Sequence, residues 1–332
     1  MTLLKQSVAA VTLALASGMA MAECGDIVVA EMDWASAEFA ANLDKIILEE
    51  GFGCSVDLAP GATATTLASM ESKGRPHIAP EFWSNAVRER LQQAEDNGQV
   101  IVATKLIPDA ADGWYVSKSI ADDYPEINSI DDVLARPELF PNKENPGKGT
   151  FVNCPSGWTC QIANTNLTKP TAYNFEKAGF IALDPGSAAG LDGTIAKSYD
   201  REEGWFGYYW QPSSVLSKYE LKRLTTDADI NDEHWNSCIA KEECDTPQRT
   251  NFTPTTVNTI VTTGFAGDNP DVMAYINKRA YTSDEVGKVL VYMSDNQADG
   301  EDGAIYFLEN HEEIWTKWVT PEIANKVRQA IN

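Results

Sequence analysis

Short apolar runs and amphipathic helical stretches alternate along this chain, and few architectures accept that order. Ile27-Val28-Val29-Ala30 reads as a strand, and 35–50 as a helix with Phe39, Leu43, Ile46 and Ile47 on one face and Gly51 as its stop. Ser55-Val56-Asp57-Leu58 reads as the second strand, 63–73 as the second helix and His77-Ile78-Ala79 as a third, short strand. A charged helix over 85–97 then ends at Gly98. Strand, helix and strand in this rhythm imply an α/β fold with a parallel sheet and right-handed crossovers.

The rhythm continues beyond a change of domain near Gly113-Trp114-Tyr115-Val116. Helices are expected at 130–136, 172–178 and 191–199, and strands at 149–153, 205–210 and 221–224. The β-branched run 255–263 reads as a strand returning to the first domain, and the remainder as helices at 270–280, 284–295 and 304–319. This predicts a discontinuous first lobe, 23–115 with 256–332, around an inserted second lobe, 116–255. Ligands of open α/β sheets sit off the carboxyl ends of the strands, so a cleft between the lobes is the place to look for function.

The first residues read as an export signal. Lys5 precedes an apolar run over 8–19, and Ala20-Met21-Ala22 supplies a small-x-small cleavage pattern, so 1–22 is expected to be removed and the mature chain to lie in the periplasm. That run is shorter than the ~20 residues a membrane span needs. A net charge of −23 argues against a nucleic-acid partner, which demands a basic surface. In an oxidising compartment the six cysteines read as bridges. Cys154/Cys160 and Cys238/Cys244 each enclose a short loop. Cys24 and Cys54 each precede a strand, and adjacent parallel strands would bring them together.

Nine tryptophans are unevenly placed. Trp34 follows the first strand and Trp83 the third, Trp158 sits inside the Cys154–Cys160 loop, and Trp205 and Trp210 bracket Trp-Phe-Gly-Tyr-Tyr-Trp, which contains Tyr208 and Tyr209. A single tryptophan ordinarily packs a core. Trp315 and Trp318 read that way, Trp235 as a surface anchor of the second lobe, and Trp114 as a hinge residue. Four strand-end loops presenting indole at one rim are a different matter. A quaternary ammonium has spread positive charge and no donors, so indole faces suit it, at roughly 0.5–2 kcal/mol per ring when desolvated.

These residues resemble the glycine betaine/proline betaine binding-protein family of osmoprotectant ABC importers. The resemblance rests on Cys154-Pro-Ser-Gly-Trp-Thr-Cys160, Tyr-Tyr-Trp-Gln-Pro at 208–212, Pro-Glu-Phe-Trp at 80–83 and Ile314-Trp-Thr-Lys-Trp-Val319. It implies a two-lobed periplasmic-binding-protein fold of the second, venus-flytrap type, with a cleft between lobes, an ABC permease as partner and no catalysis. The family's aromatic box carries over to Trp83, Trp158 and Trp210. Trp34 and Trp205 are added here from position alone. Family ligands include glycine betaine, proline betaine, choline and trimethylamine N-oxide. No Arg, Lys or His lies in the aromatic motifs, while Glu31 and Glu81 stand close to them. A betaine carboxylate would depend on backbone N–H donors there and would be repelled by an acidic neighbour, which suits a cation such as choline or, if protonated, can donate to an N-oxide oxygen.

Other chemistries are weaker. The three histidines lie in no zinc or nucleophile motif. A carboxylate-pair hydrolase and a chemosensory receptor are the alternatives to a transport receptor. No cofactor is required. Structural calcium could be held by Asp227, Asp229 and Asn231, or by Asp295, Asp299, Glu301 and Asp302, although the first run lacks the glycine and terminal glutamate of a calcium loop. A monomer is expected.

Overall fold

The computed structural model describes residues 24–331, and the expected leader lies outside them. Two five-stranded sheets form the frame. The first contains β1 (Asp26–Met32), β2 (Ser55–Gly61), β3 (Ile78–Trp83), β4 (Val100–Ile107) and β10 (Val257–Thr262), in the order β2-β1-β3-β10-β4. The second contains β5 (Ala111–Ser117), β6 (Gly149–Val152), β7 (Phe180–Leu183), β8 (Phe206–Gln211) and β9 (Leu221–Arg223), in the order β7-β6-β8-β5-β9. Each sheet carries its own helices, so the chain is a two-lobed α/β protein.

The sheets are mixed rather than purely parallel. β1 runs parallel to β2 and β3, but β10 is antiparallel to both of its neighbours because it re-enters from the second lobe. β10 is buried along its whole length, which its Val-Asn-Thr-Ile-Val-Thr composition fits. Two connections join the lobes, one between β4 and β5 and the other between β9 and β10. β5 belongs to the second sheet, so the first crossing falls at 108–110, ahead of the expected boundary at 115.

Local differences from the sequence pattern have physical reasons. The first helix, Ala35–Ile46, does not stop at Gly51. It continues through a π-helical turn, Ile47–Phe52, and ends at Gly53, whose φ of 77° is left-handed. Gly51 serves packing instead, since a Cβ there would lie 2.6 Å from Ile323 Cγ2. Ile323 belongs to a terminal helix, Pro321–Ile331, that lies beyond the last helix expected from the sequence pattern. β4 and β7 are further strands the pattern did not single out. The three disulfides join Cys24 to Cys54, Cys154 to Cys160 and Cys238 to Cys244. The first closes the edge where β1 and β2 begin, with Asp26 opposite Ser55.

Two apolar clusters form the core: one lies within the first lobe, and the other fills the second lobe and continues through the cleft face of the first, from Trp114 and Phe206 to Trp34, Phe82 and Ile260. In the second, Trp114 is surrounded by Phe151, Tyr173, Phe175, Phe206 and Phe252 at ring-centroid distances of 5.2 to 6.2 Å. It is therefore a core residue and not a hinge. The first lobe buries Trp315 and Trp318 as expected, but also an ion pair: Arg279 and Asp44 are both fully buried. Tyr275 donates to Asp44 at 2.6 Å, and Arg279 donates to Thr259 of β10 at 2.6 Å. Removing one partner of such a pair leaves an uncompensated buried charge. Arg279→Met is expected to cost about 3–5 kcal/mol in urea denaturation. Adding Asp44→Leu should recover much of that loss, and wild-type stability in the single variant would contradict this account.

Candidate functional site

Where the carboxyl ends of β1, β3, β6 and β8 approach one another, residues of the two lobes line a small, partly open cavity. Its aromatic wall is made by Trp34, Trp83, Trp158, Tyr208, Trp210, Trp235 and Phe252. Thr63, Asn85, Ala86, Thr159, Cys160 and Ala163 complete the lining, with Asp112 as its sole ionisable carboxyl. No lining residue is Arg, Lys or His.

Four of the lining indoles, Trp34, Trp83, Trp158 and Trp235, are held by their one donor. Trp34 stands between β1 and the helix it precedes, and its Nε1 donates to Glu81 Oε1 at 2.6 Å. Trp83 ends β3 two residues after Glu81, on the same strand face, and donates to that same oxygen at 2.9 Å. Ser36 adds a third donor at 2.8 Å. Glu81 is fully buried and lies behind the two rings, outside the lining.

Trp158 arrives from the opposite lobe. The Cys154–Cys160 bridge closes its loop, Gly157 turns the chain with φ of 91°, and the helix Thr159–Thr168 starts directly after it. Its Nε1 donates across the cleft to Asp33 Oδ1 at 3.0 Å. Its ring meets Trp34 and Trp210 edge-on, each at 5.3 Å. Trp158 is thus the ring that joins the two halves.

The strand period sorts the run 205–210. Tyr208 and Trp210 face the cavity. Tyr209 faces the other way and donates to Asp192 at 2.7 Å. Trp205 shares the parity of Tyr209, donates to Thr194 at 2.9 Å and packs under Gly207, where a Cβ would meet its ring at 2.8 Å. Neither Trp205 nor Tyr209 reaches the cavity. Glu31 is also outside it, accepting from Asn42 at 3.0 Å.

Sequence reasoning missed Asp112, Asn85, Trp235 and Phe252. Asp112 lies in β5 opposite Trp210 and is 5% exposed. Its carboxyl accepts from Asn85 at 3.2 Å, from Tyr208 at 3.2 Å and from Thr255. Burial pushes this carboxyl above the usual range, while Thr255, Arg223 and Tyr208 pull it back. The available signal was a carboxylate inside the apolar run Ala111-Asp112-Gly113-Trp114-Tyr115. Trp235, read as a surface anchor, is buried and donates to the Asn85 carbonyl at 2.9 Å, tying the second lobe to the first.

Cross-lobe ion pairs lie further out: Arg88 with Asp232, Lys241 with Glu89, and Lys218 with Asp295. Several side chains of the acidic runs considered for calcium have other partners. Asp299 and Asp302 form a capping box for the helix Gly300–Asn310, Asn231 caps the turn that follows it, and Asp227 lies 4.0 Å from Arg249. Among the described residues, no group of three or more His, Cys, Asp or Glu is placed to hold a metal ion. Among the same residues, no helix is long and apolar enough to cross a membrane.

Because the Asp112 carboxyl is raised by folding, it binds protons more readily folded than unfolded. Its contribution to stability must then fall as pH rises from the ordinary aspartate range through its folded value. Asp112→Asn, which keeps an acceptor for Asn85 and Thr255, should be more stable than the parent at pH 8, with the gap shrinking toward pH 4. A gap that does not change with pH, followed by urea midpoint, would contradict the assignment.

Comparison with known proteins places these features in context. Residues 25–310 match the family model described as the substrate binding domain of ABC-type glycine betaine transport system. An ABC-transporter choline-binding protein in complex with choline superposes with a TM-score of 0.74 at 15% identity, covering 93% of this chain and 99% of that one. A glycine betaine, L-proline-binding protein from Borrelia burgdorferi gives 0.69 at 16%, covering 91% and 99%. The lactococcal protein in its closed, glycine betaine-bound form gives 0.67 at 17%, covering 89% and 100%. At these identities the structures establish a shared fold.

Proposed function

The chain belongs to the family of substrate-binding domains of ABC-type glycine betaine transport systems, and from that premise we propose that it is a periplasmic receptor that delivers a compact methylated ammonium compound to an ABC permease. The observation that carries this reading is the aromatic enclosure: Trp34 and Trp83 from one lobe, Trp158 and Trp210 from the other, with Tyr208 beside them. Rings at such spacing surround a trimethylammonium group with π faces. Several of them at ~0.5–2 kcal/mol each, together with burial of the methyls, approach the ~8 kcal/mol of micromolar binding.

The polar end of the ligand is assigned to Asp112. A lining with a carboxyl and no basic side chain repels a ligand carboxylate. When ionised, Asp112 accepts from a choline hydroxyl; when protonated, it donates to an N-oxide oxygen. This favours choline or trimethylamine N-oxide over glycine betaine. Binding is coupled to closure, because the box is complete only when Trp158 reaches Asp33 and Trp34, and a ligand that contacts both halves favours the closed lobes. The permease then reads the closed surface.

Trp158→Ala removes the ring shared by both halves. It should weaken choline and trimethylamine N-oxide binding by more than about tenfold, followed by tryptophan fluorescence, with little change in melting temperature. Near-parental affinity in that variant would remove the box from the mechanism.

A further inference from the structure

We infer that Glu81 is a positioning residue behind the box, and that its negative charge, carried to the cavity through the Trp34 and Trp83 indoles, makes the site prefer a full cation over a neutral ligand of the same shape. The inference deepens the reading above and rests on it for the class of ligand.

The geometry is unusual for a buried acid. Three donors, Trp34 Nε1, Ser36 Oγ and Trp83 Nε1, converge on Oε1, while Oε2 is buried with no hydrogen-bond partner among the described residues. The charged and titratable groups around it are few. Arg279 attracts it, but that guanidinium is paired with Asp44 and bonded to Thr259. Tyr281 faces it as a buried phenol whose hydroxyl is also unpartnered. Helix Ala35–Ile46 contributes Ser36, and β3 itself contributes Trp83. Burial pushes the Glu81 carboxyl upward, with Trp83, Trp34, Ser36 and Arg279 pulling it down. The protein has thus buried a carboxyl whose cationic neighbour, Arg279, is already paired with Asp44.

A ligand cation supplies the missing complement. It would sit on the cavity side of the same two indoles whose N–H edges point at Glu81. A carboxylate bonded to an indole N–H leaves the ring face more negative, and in a water-poor surround the direct attraction is also weakly screened. A neutral ligand gains nothing from either effect. It follows that cation binding favours the ionised carboxyl. Affinity for a permanent cation should then rise with pH through the Glu81 titration of the ligand-free protein and level off above it, with a proton released on binding.

The test compares choline with 3,3-dimethylbutan-1-ol, its neutral carbon isostere, on the parent protein, Glu81→Gln and Glu81→Asp. Gln keeps an acceptor for the indoles without the charge, whereas Asp keeps the charge on a shorter arm. Glu81→Gln should lose about tenfold in choline affinity and little for the isostere, and in an Asp112→Asn background, which removes the other buried carboxyl of the site, it should also remove the acid-range pH dependence of choline affinity. Glu81→Asp should retain the choline-over-isostere ratio. Equal losses for both ligands in Glu81→Gln would overturn the charge role and leave a scaffold. Binding of neither ligand by the parent protein would count against the ligand reading alone. Glu81 is then decided without ligand, by indole fluorescence against pH: a transition present in the parent and missing in Glu81→Gln supports the inference, and identical profiles overturn it.

Discussion

A buried indole has one donor, and the place where that donor finds an acceptor decides which face the ring shows. This constraint runs through the molecule. Glu81 takes the donors of Trp34 and Trp83, Asp33 that of Trp158, and the Asn85 carbonyl that of Trp235. Asn164, Thr194 and the Leu308 carbonyl hold Trp114, Trp205 and Trp315 away from the cleft. The acceptors that serve the cavity are mostly carboxylates, and those that serve the cores are neutral. The distinction matters because a carboxylate behind a ring adds negative potential to a wall that already attracts cations.

The same bonds tie local structure to closure. Trp158 to Asp33 and Trp235 to Asn85 each cross between lobes, and Asn85 also bonds Asp112 and Thr255. Asn85 and Asp112 therefore lie where one lobe, the other lobe and the return connection to β10 meet. Charge pairs further out, such as Lys218 with Asp295, are solvent-exposed and contribute little each. The contacts at the box, Trp158 with Asp33 and Trp235 with Asn85, join the two lobes beside the cavity.

Much of this was legible in the sequence. The two-lobed α/β order followed from the strand and helix rhythm, and the resemblance located Trp83, Trp158 and Trp210 on the cavity wall. Position after β1 was enough to add Trp34. Trp205 and Tyr209 went astray because aromatic density was read without the period of two that sends alternate residues to opposite faces. Asp112 was hidden for the opposite reason: one carboxylate in an apolar strand has no motif, and its meaning comes from Tyr208, Asn85 and Thr255, which are distant in sequence. Gly51 looked like a helix stop, but the close approach of Ile323 from the far end of the chain gave it another role. Long-range packing is what local patterns do not encode.

The central claim is that the indole-walled cavity with Asp112 selects a methylated ammonium group and rejects a carboxylate. Calorimetric titration of the protein with choline, trimethylamine N-oxide and glycine betaine in turn tests it most directly. The account predicts micromolar binding of choline or trimethylamine N-oxide and weaker binding of glycine betaine. Glycine betaine as the tightest ligand would contradict the role given to Asp112, and no heat with any of the three would contradict the aromatic box as a ligand site.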